Sequence, residues 1–223
     1  MREVFDDSQA SIAMSRGAVK QDSVFHTLLY TIFQKPREGA SGGIVVALSS
    51  ANPGEGVTYV TKALIHELGR CEFTSVAGLS VNFLRKLHEP TLEAIRKSLN
   101  GPPPSLVAAS SGTAGAQYSA LSVDRRASSL WEGSWQYRRD CMDLLRSEFD
   151  YTVIDCPSLK ISGDVLSVAP FVDGVILVIE ANRTHREEPC LARRRITDAG
   201  GTVLGYILNK RRYDVPEWLY RRL

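Results

Sequence analysis

The stretch that most constrains this chain is "GIVVALSSANPGEGVTYVTKALIHELG", residues 43–69. Its start, "IVVALSS", is a short β-branched run that fits a strand buried on both faces. Gly54 and Gly56 then frame a tight turn. From Thr58 to about Gly69, Val60, Leu64 and Leu68 recur four apart, which predicts a helix with one apolar face. A buried strand, a glycine-rich turn and a helix, in that order, direct backbone N–H groups and a helix N-terminus toward an anion. The phosphate-loop pattern GxxxxGKS/T falls on Ala51 to Thr58, with alanine at the first glycine and Val57 at the lysine. The motif is strong as a mark of fold and weak as a mark of activity.

The last third repeats the strand–helix alternation. "YTVID" and "GVILVIEA" read as apolar strands separated by a short helical segment near "SGDVLSVA", and "VLGYILN" supplies one more strand. Thr184 with Glu187 forms a capping-box pattern that opens a helix ending at Gly200-Gly201. Ser129 with Glu132 forms another, ahead of a long helix that carries Trp131, Trp135, Cys141, Leu145 and Phe149 inward. Between these landmarks, "FTSVAGL" and "LVAAS" are candidate strands, "TLEAIRKSL" a short helix, and residues 111–127 a flexible connection. "QDSVFHTLLYTIF" is an amphipathic helix ending before Pro36. Apolar strands alternating with helices predict an α/β fold, a mostly parallel sheet of about six to seven strands with helices on both faces. The expected organisation is a flexible arm over 1–20, one P-loop NTPase-like three-layer domain over 21–213, and a basic tail over 214–223.

Composition sets outer limits. With 43% hydrophobic and 23% charged residues the chain is ordinarily globular, and 27 basic against 25 acidic residues leave a formal charge of +2. No overall polycation is drawn to nucleic acid or membrane. Local charge is less even, because Arg193, Arg194, Arg195, Lys210, Arg211, Arg212, Arg221 and Arg222 make the C-terminal end basic. That zone reads as a solvated face or as a docking surface for an acidic partner or anionic lipid. Cys71, Cys141, Cys156 and Cys190 lack metal-ligand spacing and read as reduced, buried thiols. Without a long apolar run or a signal-peptide pattern, a cytoplasmic protein is expected, associated with a membrane only through a partner.

"VALSSANPGEGVT" resembles the loop of the bacterial tyrosine kinases of capsule and exopolysaccharide synthesis, which runs close to "SSxPGEGKS" and belongs to the partition-type ATPases. The likeness continues in "VFHTLLYTIF", "FDYTVIDCPSL", "VDGVILVIEANRTHRE" and "VLGYILNKRRY", so that in order and spacing it covers about residues 21–213. The resemblance implies a nucleotide site at Gly54, Glu55, Gly56, Val57, Thr58 and Asn209, with Thr58 and Asp155 as magnesium ligands and Asp155 as the candidate catalytic carboxylate. Tyr213 and Tyr220 stand where the family carries its phosphoacceptor tail. A membrane-bound chain-length regulator is the implied partner, docked through its cytoplasmic part.

The departures fall on the charged positions. Val57 replaces the lysine that contacts the β and γ phosphates, and a charge-assisted hydrogen bond is worth about 1.5–3 kcal/mol, so its loss weakens binding about ten- to a hundredfold. The family's "DxD" strand end should fall near residues 74–85, where "TSVAGLSVNFLR" holds no acid. The ring-forming ExxRxxR motif maps onto Ser23, His26 and Leu29 and is absent. Lys62 lies one turn inside the helix, where a surface lysine is the simpler reading than a substitute cation. Glu55 reads as a turn residue, while Asn209 either borders an adenine-sized groove or satisfies a turn. The expectation is weak or no ATP/Mg binding and a degenerate, pseudokinase-like regulator or scaffold of exopolysaccharide or capsule synthesis. Two alternatives stand beside it: an unorthodox ATP-dependent tyrosine autokinase or ATPase, and a partition-type adaptor that binds DNA or membrane.

Overall fold

In a computed structural model, the described residues are 11–15, 42–70, 74–86, 117–119 and 134–211. They form β1 (Ser11–Ser15), β2 (Ile44–Ser50), α1 (Val57–Leu68), β3 (Val76–Ser80), α2 (Val81–Lys86), β4 (Gln117–Ser119) and α3 (Trp135–Glu148). Then follow β5 (Tyr151–Asp155), α4 (Asp164–Val168), β6 (Gly174–Glu180), α5 (Glu187–Asp198) and β7 (Val203–Arg211). The seven strands make one sheet in the order β1-β7-β6-β2-β5-β3-β4. Every pairing is parallel. The parallel α/β expectation is therefore met.

Alternation along β2 explains the two cores. Val45 and Ala47 join a cluster with Cys141, Met142 and Leu145 of α3, Val165 of α4 and Ile196 of α5. Val46 and Leu48 join a second cluster with Val60, Leu64 and Leu68 of α1. Successive side chains point to opposite faces, so a strand covered on both sides must be apolar on both, as the run Ile44–Leu48 is. Leu64 has no solvent exposure. Leu64→Ala is expected to cost about 2–5 kcal/mol, read as a lower urea midpoint with unchanged slope.

Several boundaries differ from the expectation. Ser11–Ser15 falls inside the stretch read as an arm and pairs with β7, Ser11 facing Tyr206, so the sheet extends where only chain had been expected. Gln117–Ser119 falls inside the stretch read as a connection and pairs with Ala77–Leu79. At five residues, "SIAMS", and three, "QYS", both are too short to give the longer apolar run that signals a central strand. The cap of α3 is Ser134, whose hydroxyl accepts the Tyr137 N–H at 3.1 Å. Trp135 is half exposed, packing edge-on against Phe171 at 5.6 Å between ring centroids instead of entering the core. Cys141 and Cys156 are buried as expected, but Cys190 is exposed. Residues Ser129, Glu132 and Trp131, the segments "QDSVFHTLLYTIF", "TLEAIRKSL" and "LVAAS", Cys71 and the 214–223 tail lie outside the described residues.

Candidate functional site: a phosphate-loop cleft

The loop between β2 and α1 is fastened from behind. Gly54 and Gly56 both take positive φ, 82° and 94°, a region open to glycine at little cost. Between them, Glu55 is only 2% exposed and turns inward. Its carboxylate accepts the Asn52 backbone N–H at 2.9 Å, the Asn52 amide at 3.3 Å and the Thr184 hydroxyl. Glu55 is thus a buried staple, where the sequence suggested a turn residue. Thr184 is correspondingly not a helix cap. The cap position of α5 belongs to Arg186, which makes no side-chain cap bond, and Thr184 Oγ1 accepts the Glu180 N–H at 3.3 Å.

From β7, Asn209 closes the same loop. Its Nδ2 donates to the Glu55 carbonyl at 2.9 Å and its Oδ1 accepts the Lys210 N–H at 2.8 Å. Both ends of the amide are engaged inside the fold. Lys210 Nζ donates to the Gly54 carbonyl and to Glu180 at 3.1 Å. A further tie runs from α5, where Glu188 accepts the Asn52 amide at 2.7 Å and the Lys160 ammonium at 2.9 Å.

These bonds from Lys160 first, then Asn52, hold the Glu188 carboxyl down at about 2, against an ordinary 4.5. A carboxyl whose folded value is depressed contributes stability above its unfolded value and loses it as pH falls toward the folded one. Glu188→Gln should therefore flatten the part of the stability–pH curve between about pH 4.5 and 2, measured by urea unfolding at low salt. The variant should fall behind wild type near pH 7 and draw level with it toward pH 2, where the wild-type carboxyl is protonated as well.

In front of the loop, a cleft of about 370 Å³ opens beyond the carboxyl ends of β2, β5 and β3. This is where parallel sheets place their ligands. Gly54, Gly56, Val57 and Thr58 line one side, Asp155 and Ser158 another, Ser80 and Asn82 a third. Parallel register sets Asp155 beside Leu48 and Ser80 beside Asp155, which brings three strand ends to one point. Thr58 Oγ1 donates to Asp155 at 2.7 Å, so the two predicted metal-ligand residues do meet. The Val57 side chain belongs to the apolar cluster of α1. Lys62 does not line the cleft, and among the described residues no other lysine or arginine does. α1 begins without a side-chain cap or an acidic first turn.

Ser80 and Asn82 carry the spacing of the family's two aspartates, at the end of the strand where that motif was expected. Neither brings a charge. Their S-x-N spacing after "VAGL" was the signal available in the sequence. Cys156, next to Asp155, is wholly buried, and burial, then the charges of Asp155 and Asp164, push its thiol well above the ordinary range. It is no nucleophile at neutral pH. Among the described residues no group of three or more His, Cys, Asp or Glu is placed to hold a metal ion, and no helix is long and apolar enough to cross a membrane. Tyr213 and Tyr220 lie outside the described residues, as do Ser23, His26 and Leu29.

Sheet order, loop and strand-end carboxylate define a P-loop NTPase-like domain. Within that class, the relatives that match are bacterial tyrosine kinases, as the loop suggested. A putative tyrosine-protein kinase CapB of Staphylococcus aureus is 37% identical over 70 residues, 31% of this chain and 31% of that protein. The tyrosine-protein kinase CpsD of Streptococcus agalactiae is 32% identical over 74 residues, 33% of this chain and 32% of its own. The match spans roughly a third of each relative's length. No family model matches.

Solved structures share the fold. The chimerical protein CapA2B2 superposes with a TM-score of 0.65 at 16% identity, covering 92% of this chain and 94% of that one. For the kinase domain of the Escherichia coli tyrosine kinase ETK the values are 0.61, 16%, 87% and 76%. The septum site-determining protein MinD of Pyrococcus horikoshii, solved with Mg-ADP, gives 0.50, 16%, 81% and 76%.

Proposed function

We propose that this chain is a catalytically degenerate, tyrosine-kinase-like P-loop protein that regulates or scaffolds exopolysaccharide or capsule synthesis through contacts. The observation that carries the reading is the make-up of the cleft, which keeps Thr58 and Asp155 together yet holds valine at 57, serine at 80 and asparagine at 82. Magnesium takes hard, preferably charged oxygen ligands, and one carboxylate with one hydroxyl is a poor fit to it. A phosphoryl group in transfer needs cations aimed at its oxygens, and among the described residues no lysine or arginine lines this cleft. The loop then serves as a rigid bend between β2 and α1, fastened by Glu55 and Asn209. The partner in this reading is the cytoplasmic part of a membrane-bound chain-length regulator, which makes a cytoplasmic, membrane-associated location the natural one.

The Thr58–Asp155 pair favours one second reading, an autokinase that marks Tyr213 or Tyr220. Incubation of the full chain with Mg-ATP followed by mass spectrometry separates the two. No phosphotyrosine is expected. Phosphate on either tyrosine that disappears in Asp155→Ala would overturn the proposal.

A further inference from the structure

We propose that the cleft binds a neutral polyhydroxylated ligand, of the saccharide class, in the place where an active relative would hold a polyphosphate. The inference rests on the degenerate reading of the loop and asks what the altered cleft can still recognise.

The charge balance comes first. Asp155 contributes negative charge, and among the described residues no lysine or arginine lines the cleft to offset a ligand's phosphates. An anionic ligand would meet like charge in a partly desolvated site, which costs binding free energy. A neutral ligand carries no such penalty. A carboxylate can in addition accept two hydroxyl donors at once.

The lining groups suit such a ligand. Ser158 is 4% exposed, lines the cleft, and its buried hydroxyl has no partner among the described residues. A buried hydroxyl left without a partner is costly, and a ligand hydroxyl can both donate to it and accept from it. Asn82, just past the end of the neighbouring strand β3, also lines the cleft; its backbone N–H donates to Ser80 Oγ at 3.3 Å, and among the described residues its side-chain amide makes no hydrogen bond, which leaves the amide to donate and accept. Thr58, Ser80 and Asp155 add two hydroxyls and a carboxylate to the same lining, groups that hydrogen-bond a polyhydroxylated ligand.

The rim supplies the other half of the chemistry. Tyr59 is 56% exposed and Ile161 66%, and both line this cleft. Only Trp135 and Leu191 are comparably exposed large apolar side chains among the described residues, so half of that set borders one opening. A sugar ring has apolar C–H faces that bury well on an aromatic or aliphatic wall, while its hydroxyls point to the polar floor. A volume of about 370 Å³ lies at the small end of the range for ligand pockets and has room for about one or two sugar rings.

The test is a titration of the full chain, followed by saturation-transfer NMR and calorimetry, with glucose, galactose, mannose, N-acetylglucosamine, glucuronate, adenosine and Mg-ATP. At least one neutral sugar is expected to bind, with affinity reduced tenfold or more in Ser158→Ala and in Asn82→Leu. Arg194→Ala, on the exposed face of α5, should bind as wild type does. Glucuronate should bind more weakly than glucose, and Asp155→Asn should narrow that gap. Circular dichroism confirms that each variant is folded. No binding of any sugar by the folded wild type overturns the inference, as does sugar binding indifferent to Ser158 and Asn82, or adenosine binding tighter than every sugar. Micromolar Mg-ATP binding overturns the degenerate reading itself, whereas silence of both sugars and Mg-ATP removes the saccharide inference alone.

Discussion

Gly56→Ala is expected to destabilise the protein by about 2–5 kcal/mol, the sum of a left-handed backbone penalty and a lost buried hydrogen bond. Its φ of 94° is one that an L side chain rarely adopts. A Cβ there would sit 2.2 Å from Asn209 Nδ2, the atom that donates to the Glu55 carbonyl. Gly54 provides the control. Its φ is also positive, at 82°, but an added Cβ meets nothing within 4 Å. Gly54→Ala should therefore show only the backbone part, about 1–2 kcal/mol. Chemical denaturation of both variants measures the difference, and equal losses would show that Asn209 does not fasten the loop.

Val57→Lys is the change with the largest expected effect on ligand binding. It should raise affinity for ATP about ten- to a hundredfold, because the loop's backbone is already held by Glu55, Asn209 and Lys210. Val57 is 9% exposed, at the border of its cluster, so a lysine stem can occupy its place while the ammonium leans toward the loop. Adding Ser80→Asp and Asn82→Asp should then make the gain depend on magnesium. A Val57→Lys protein that folds and still ignores ATP would mean that the loop is closed to phosphate for a reason other than charge.

The central sheet was legible because buried parallel strands must be apolar on both faces, and "IVVALSS", "YTVID" and "GVILVIE" are. The loop was legible for a related reason, since strand, glycines and helix leave few ways to connect. The edge strands at Ser11–Ser15 and Gln117–Ser119 were not, being short and held by pairing with β7 and β3. Thr184 and Glu187 carried a local capping pattern, but tertiary contact took the threonine to Glu55 instead. Glu55 itself could not be distinguished from a solvated turn residue, because its burial depends on Thr184 and Asn209, far away in sequence. Trp135 was assigned to the core by periodicity, yet it is the first residue of α3, right after the Ser134 cap, and its ring lies half exposed beside Phe171.

In the site, the sequence identified the losses and the structure identified what occupies their places. Val57 could be read directly against the loop pattern. Ser80 and Asn82 became meaningful only when the parallel register put Ser80 beside Asp155. Ser158 had no signal of its own, since nothing in "DCPSL" marks which hydroxyl will be buried without a partner.

Calorimetry of the wild-type chain with Mg-ATP, with ADP release followed in the same sample, tests the central claim most directly. The account predicts no binding in the micromolar range and no ADP above the protein-free rate. A micromolar dissociation constant accompanied by ADP release that is abolished in Asp155→Ala would contradict it.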